Sequence, residues 1–396
     1  MHASSILQRF LQEQCGFMHA KRQQCVARIA HAACLKGLGV VKLAKALGRP
    51  EKLRHDIKCC DRLLSNPRFQ QERVPIYRAL AKQILCKVDG AAIIVDWSEL
   101  RADGSLQLLR AAVMAKGRAF TLYEEVHPQE RLGSPIIQRL FMRRLKTVLP
   151  SGFRAIIVTD AGFRATWFNM LNQQRWAWIG RIRNRDMVCQ DGTTEWEGCK
   201  NLYVKANLQP RHLGSFSYAR SNPVRCCLMI HRRPPKHRHD KTKLGKPCRS
   251  AHSKKARAAQ VEPWLLAVSP LLQSLGVKEV IRAYTGRMQV EQTFRDLKCP
   301  RSALGLRTCQ TRSASRLAML LLIGALASYS LWIIGLTMDR DGAAIRYGSA
   351  KKSGNTMSIV GLAMFWLDHD PHLKISRSQL ATSLGELRSL IANFKI

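Results

Sequence analysis

The stretch Tyr284–Lys298, YTGRMQVEQTFRDLK, guides the interpretation of the whole chain. Four of its residues project within about 60° of one another at helical periodicity: Tyr284, Arg287, Glu291 and Lys298. We therefore predict one helix that carries a phenol, a guanidinium, a carboxylate and an ammonium on a single face. A carboxylate among phosphate-binding groups suggests metal-dependent phosphoryl transfer, which needs further carboxylates elsewhere in the chain.

Two aspartates upstream are the candidates for those carboxylates. Asp96 and Asp160 follow the β-branched runs Ile93–Val95 and Ile156–Thr159. An acidic residue there is unfavourable unless a cation or hydrogen bonds satisfy it. Each aspartate alone could equally cap the end of its strand, but together with Glu291 they favour a pair of divalent ions. Oxygen ligands suit Mg²⁺ or Mn²⁺, of which one would activate the attacking water or 3′-hydroxyl and the other would stabilise the leaving oxygen.

The charge of the chain points to a polyanionic partner. Its 396 residues include 65 Lys and Arg against 27 Asp and Glu, for a formal net charge of +38. Nucleic acid is the first candidate, because the release of counterions from phosphates favours binding without sequence recognition. An anionic membrane surface is the second candidate.

One apolar segment, Ala318–Leu336, is long enough to span a membrane. It is the only such segment in the sequence, and it contains two glycines and two serines. A helix buried on all sides in a globular protein gives the same pattern. We predict the buried helix, and no membrane association.

The thirteen cysteines do not form a recognisable framework. They include adjacent pairs and no CxxC motif, so we interpret them as reduced cytosolic thiols that pack as small core residues. The cluster His237, His239, Cys248 and His252 lacks a known zinc-ligand spacing, which makes a zinc site there the weaker alternative.

The remaining patterns predict an α/β fold with a mixed sheet. Residues 1–85 read as short basic amphipathic helices, either a DNA-binding module or simply a solvated surface. Strands are predicted within the ranges that follow: 91–95, 106–114, 119–126, 155–159 and 176–182. Helices are predicted at 135–149 and 164–174, and shorter strands precede a further strand at 264–268.

These residues resemble a known family. The spacing Tyr-x2-Arg-x3-Glu-x6-Lys is similar to the signature of the insertion-sequence-four family of bacterial DDE transposases. Asp96 in IVDWS and Asp160 in IVTDAGF resemble the first and second catalytic aspartates. The sequences QVEQTFRDLK and LGLR further resemble the subgroup whose best known member moves a tetracycline-resistance transposon. The resemblance covers about residues 85–335.

The resemblance implies an RNase H-like catalytic core with a β-rich insertion. The expected regions are 1–85 as a helical DNA-binding region, 86–182 as the first part of the core and 183–270 as the basic insertion. The second part of the core, with the catalytic helix, would then be 271–335. Residues 336–396 would form a helical region used in dimerisation.

The resemblance also implies an activity and a set of site residues. Members excise DNA by nicking, form and resolve a hairpin at the transposon end, and join the 3′ end to target DNA. Asp96, Asp160 and Glu291 would bind two Mg²⁺ or Mn²⁺ ions. The residues expected to contact DNA are Tyr284, Arg287, Lys298, Arg295 and Trp264, the last by stacking on a displaced base rather than by packing in the insertion sheet.

We therefore predict a bacterial, nucleoid-associated cytoplasmic enzyme. It would act as a homodimer on the terminal inverted repeats of a transposon and on target DNA. Two alternatives remain: a metal-dependent nuclease without strand transfer, and a catalytically silent DNA-binding inhibitor of transposition.

Overall fold

The computed structural model describes residues 3–184, 186–234, 250–251, 261–299, 304–342, 357–370 and 374–393. The chain divides into two compact units. The flanking unit comprises Met1–Arg154 and Arg287–Lys395, and the central unit comprises Ala155–Gly286. The considered zinc cluster lies outside the described residues, as does most of the stretch 231–257 of the predicted insertion, which is rich in Lys and Arg.

The flanking unit begins with helices, as the sequence predicts for residues 1–85. Asn66 starts one of them by accepting a hydrogen bond from the backbone N–H of Phe69 at 3.1 Å, and Pro67 occupies the first helical position. Their bounds are α1 Ala3–Gln14, α2 Ala20–Lys36, α3 Val40–Ala46, α4 Leu53–Ser65 and α5 Pro67–Leu85.

Three antiparallel strands follow in the predicted order, β1 Gly90–Glu99, β2 Leu106–Met114 and β3 Ala119–Pro128. The strand β1 is longer than predicted, because its pairing with β2 continues to Glu99 opposite Gln107. Asp96 therefore lies inside a strand and not at its end. The helix α6, Pro135–Val148, then packs on β3 and α5.

The central unit carries the other strands. Within it, β4 and β5 are parallel, and the remaining pairs are antiparallel. The helix α7 between β4 and β5 packs so closely that a Cβ on Gly180 would collide with the ring of Phe168. The bounds are β4 Arg154–Thr159, α7 Ala165–Gln173, β5 Ala177–Ile182, β6 Met187–Gln190, β7 Glu197–Gly198, β8 Arg211–Tyr218, β9 Val224–His231, β10 Trp264–Val268 and α8 Val277–Gly286.

The prediction of a single helix over Tyr284–Lys298 is wrong. The helix α8 ends at Gly286, and a second helix, α9, runs from Met288 to Lys298. Glycine is poor in helices by about 1 kcal/mol relative to alanine, which favours an interruption here. Arg287 keeps helical dihedral angles, with φ −52° and ψ −33°, but it precedes the first residue of α9. Tyr284 therefore does not share a helix with Glu291.

The flanking unit ends in three helices, α10 Ala314–Arg340, α11 Ile359–His369 and α12 Arg377–Ala392. The helix α10 contains the apolar segment and is long and apolar enough to cross a membrane, but 89% of its most apolar window is buried inside the protein. It packs against α2, α11 and α12. The prediction of a buried helix is therefore confirmed, and so is the predicted α/β class.

Candidate active site

One guanidinium joins two of the predicted metal ligands in the flanking unit. Arg287 donates a hydrogen bond from Nη1 to Asp96 Oδ2 at 3.2 Å and another from Nη2 to Glu291 Oε1 at 2.8 Å. The side chains of Asp96 and Arg287 are each 12% exposed, whereas that of Glu291 is 44% exposed. The strand β1 and the helix α9 therefore bring their carboxylates to one shared cation.

The strand pairing explains why Asp96 forms its ion pair with Arg287 and not with the arginine opposite it on the sheet. Arg110 lies directly opposite Asp96 on β2, but its guanidinium forms a buried ion pair with Glu124 of β3 at 2.6 Å. The Arg110 guanidinium also lies over the ring of Phe294, with its Cζ 5.0 Å from the ring centroid. Arg110 thus joins β2 to β3 and α9.

The helix α9 is fixed to the β2–β3 turn by a stripe of polar side chains. Gln289 accepts a hydrogen bond from the backbone N–H of Ala115 at 2.9 Å, and Thr293 accepts one from that of Ala119 at 3.1 Å. Asp296 completes the stripe with an ion pair to Arg118. These three residues were not among the predicted site residues. Their spacing of i, i+4 and i+7 on one helix face was the signal that could have found them.

Lys298 lies on the same side of β1 as Asp96. Its Nζ donates to the hydroxyl of Ser98 at 2.6 Å, and Ser98 follows Asp96 by two residues, so both side chains project from one face of the strand. Burial, with smaller contributions from the cations Arg307 and Arg110, lowers the pKa of Lys298 to about 8. Arg295, a turn after Glu291, is exposed.

Asp160 belongs to the central unit and follows the last residue of β4. Its Oδ1 accepts a hydrogen bond from the backbone N–H of Gly162 at 2.8 Å. A side chain at Gly162 would approach the same oxygen to 3.0 Å, so the glycine permits this turn. The strand-end cap that the sequence left open is therefore present.

Trp264 and Tyr284 form part of a packed aromatic cluster within the central unit. They are 4% and 3% exposed, and their rings meet edge to face with centroids 4.8 Å apart. The guanidinium of Arg233 lies 4.1 Å from the centroid of the Trp264 ring. The structure thus shows the packing alternative for Trp264, and contact of either ring with DNA stays a prediction.

The donor chemistry near Asp96 fits a divalent cation. No group of three or more His, Cys, Asp or Glu side chains in the described part of the chain is arranged to hold a metal ion. However, the oxygens of Asp96 and Glu291 already converge on one cationic group, the guanidinium of Arg287. Anionic oxygen donors of this kind are the ligands that Mg²⁺ and Mn²⁺ prefer.

Carboxylates that converge from a strand and a neighbouring helix are ligands of the kind that metal-dependent phosphoryl-transfer sites use. Comparison with protein families gives a more specific result. The model of the transposase DDE domain matches residues 89–329, more than half of the chain. The chain belongs to this family, whose members act on DNA and use divalent metal ions. Comparison with curated proteins found no match.

The match begins just before β1 and ends inside α10. It therefore contains Asp96, Asp160 and Glu291, as well as the residues predicted to contact DNA. The predicted membership among DDE transposases is confirmed, and assignment to the insertion-sequence-four group stays a prediction.

Proposed function

We propose that the protein is a cut-and-paste DNA transposase of the insertion-sequence-four group. It would nick the transposon end, form and resolve a hairpin, and join the freed 3′ end to target DNA. The observation that carries this proposal is the convergence of Asp96 and Glu291 on one cation, in a chain whose DDE transposase domain spans both residues.

We assign Asp96, Asp160 and Glu291 as the ligands of two Mg²⁺ or Mn²⁺ ions. Bound ions would supply activation of the attacking oxygen and stabilisation of the leaving oxygen. The role of the chain is to present the oxygens of these carboxylates as ligands. The burial of Asp96 favours water exclusion, while the exposure of Glu291 leaves that side of the pair accessible to a substrate.

The cationic side chains near these carboxylates would hold the DNA end. Lys298 and Arg295 lie in the last turn of α9, and Arg287 directly precedes the helix. Arginine can bind a phosphate through two parallel hydrogen bonds, and lysine binds as a point charge. We retain Tyr284 and Trp264 as candidates for DNA contact, which would require their aromatic cluster to open.

The substrate would be double-stranded DNA with terminal inverted repeats, bound by a homodimer in the cytoplasm near the nucleoid. We propose residues 1–85 as a DNA-binding region and residues 336–396 as a dimerisation region. The excess of positive charge supports a DNA partner, because each neutralised phosphate releases counterions.

Cleavage of a DNA that carries the sequences flanking the coding region tests the proposal. Glu291→Gln should abolish Mg²⁺-dependent cleavage by a factor of at least about 100 while it retains DNA binding, since a metal ligand is lost and no cation is removed. Glu13→Gln is the matched control. Glu13 is also a partly exposed helical glutamate paired with an arginine four residues away, Arg9. Equal cleavage by Glu291→Gln and Glu13→Gln would contradict the assignment.

A second experiment separates the two alternatives. A precleaved transposon end, incubated with the protein, Mg²⁺ and a plasmid, should be joined to the plasmid through its 3′-hydroxyl. A nuclease would cut the flanking DNA but leave the precleaved end unjoined. A silent inhibitor would bind the DNA and do neither.

A further inference from the structure

We propose that Arg287 is a resident counter-ion that holds the carboxylates of Asp96 and Glu291 until metal ions replace it, and that its guanidinium is then released to bind a DNA phosphate. This inference rests on the proposed function, and it adds a role for Arg287 before DNA arrives.

The bridging geometry is the first argument. Two different nitrogens of the guanidinium each donate to a different carboxylate, at 3.2 Å for Asp96 and 2.8 Å for Glu291. The planar guanidinium presents several donors in a fixed arrangement, so one side chain can satisfy two acceptors at once. The two carboxylates that would hold a metal ion therefore already share one cationic group.

Burial is the second argument. Asp96 is 8% exposed on a strand, and an ionised carboxylate in such a position is strongly unfavourable without a compensating charge. The cation directly opposite on β2, Arg110, is paired with Glu124. Arg287 is therefore a cation hydrogen-bonded to Asp96, with Lys298 as a second nearby charge, and its other hydrogen bond holds Glu291 to the same guanidinium.

The break between α8 and α9 is the third argument. Arg287 lies between the two helices, directly after Gly286, so its side chain reaches Asp96 on β1 and also Glu291 one turn into α9. The ion pair with Glu291 is half exposed at the glutamate, so that carboxylate is accessible to a competing cation. Asp96 and Glu291 would hold a divalent ion, with twice the charge of the guanidinium, in place of the Arg287 side chain.

If the cations exchange, metal binding should compensate for the stability that is lost when Arg287 is replaced. Without metal, Arg287→Gln should lower the melting temperature by about 5 °C, because the buried carboxylate of Asp96 loses the guanidinium that is hydrogen-bonded to it. Saturating Mn²⁺ should restore most of that loss. Since no guanidinium competes, the variant should also bind Mn²⁺ about tenfold more tightly than the unmodified protein, measured by calorimetry without DNA.

Three further variants make the result specific. Arg287→Lys keeps the positive charge and should recover part of the metal-free stability, which also shows that the site tolerates substitution. Arg9→Gln removes the matched helical pair with Glu13 and should change neither the metal-free stability nor the response to Mn²⁺. Glu291→Gln removes a proposed ligand and should reduce the response to Mn²⁺.

The outcomes separate this inference from the proposed function. If the unmodified protein responds to Mn²⁺ through Glu291 but Arg287→Gln binds the ion no more tightly, the counter-ion role is overturned and the metal site stands. If neither the unmodified protein nor Arg287→Gln responds to Mn²⁺, both are overturned. A larger response in Arg287→Gln, absent in Arg9→Gln, supports the exchange.

Discussion

The hydrogen bonds of the Glu125 carboxylate predict how the free energy of unfolding depends on this residue and on pH. Glu125 lies on β3 with its side chain 3% exposed. It accepts hydrogen bonds from Tyr123 at 2.6 Å, from His127 at 2.9 Å and from Arg144 at 2.9 Å. The ring of His127 in turn packs against Trp97, the neighbour of Asp96, with centroids 5.8 Å apart. Glu125 therefore supports the strand that carries Asp96.

The magnitude follows from the pKa of this group. Burial alone would raise the pKa of Glu125, but the hydrogen bonds from His127, Tyr123 and Arg144 outweigh it and lower the pKa from 4.5 to about 2. A depressed carboxyl pKa stabilises the folded state above the unfolded pKa, and this contribution is lost as pH falls through the folded pKa. The difference corresponds to about 3 kcal/mol at pH 7 and about 2 kcal/mol at about pH 3.5.

Urea unfolding of Glu125→Gln, followed at several pH values, tests this reasoning. The variant should be less stable than the unmodified protein by about 3 kcal/mol at neutral pH, and the gap should narrow below about pH 4.5. Glu130→Gln, a change at an exposed carboxylate in the following turn, should stay within about 0.5 kcal/mol. A loss below about 1 kcal/mol at neutral pH, or a gap that does not change with pH, would refute the assignment of stability to Glu125.

Two other changes give measurable outcomes. Because the pKa of Lys298 is lowered to about 8, this side chain loses its charge as pH rises above about 8, and DNA affinity should fall. Lys298→Arg should remove that decline in a binding titration, since arginine stays charged. An unchanged decline in the variant would exclude Lys298 as its source. Gly335→Ala should lower the free energy of unfolding by about 1–3 kcal/mol, because the added Cβ would collide with the backbone carbonyl of Ile359 and separate α10 from α11. Gly385→Ala, on α12, is the control, because a Cβ there meets nothing within 4 Å. Equal stability of the two glycine variants would contradict this account of the contact between α10 and α11.

The elements that sequence predicted correctly are those in which a local pattern decides the structure. The runs that became β1, β2 and β3 combine β-branched and apolar residues with turns at Asp103-Gly104 and Lys116-Gly117-Arg118, and both glycines adopt positive φ. The long apolar segment of α10 was also evident from the sequence. Its burial could be predicted from composition, because a single apolar helix in a strongly charged chain is most stable in the hydrophobic core.

The helix that carries Glu291 was predicted less well. Periodicity placed Tyr284 and Glu291 on one face, but Gly286 permitted an interruption that spacing alone does not reveal. Burial also separated their roles, since Tyr284 packs on Trp264 whereas Glu291 is half exposed. A residue pattern records which positions share a face only while the helix continues.

The contact of Arg287 with Asp96 could not be predicted from the sequence. The four-residue spacing to Glu291 is typical of side chains that are neighbours on a helix. The contact with Asp96 joins residues separated by 191 positions and depends on how α9 is fixed to the β2–β3 turn through Gln289, Thr293 and Asp296. The spacing of these anchors marks one polar face of α9, but only their contacts show that this face binds the β2–β3 turn. The metal affinity of Asp96 and Glu291 should therefore depend on Thr293 as well as on the carboxylates, because displacement of α9 would separate the two oxygens that share the cation.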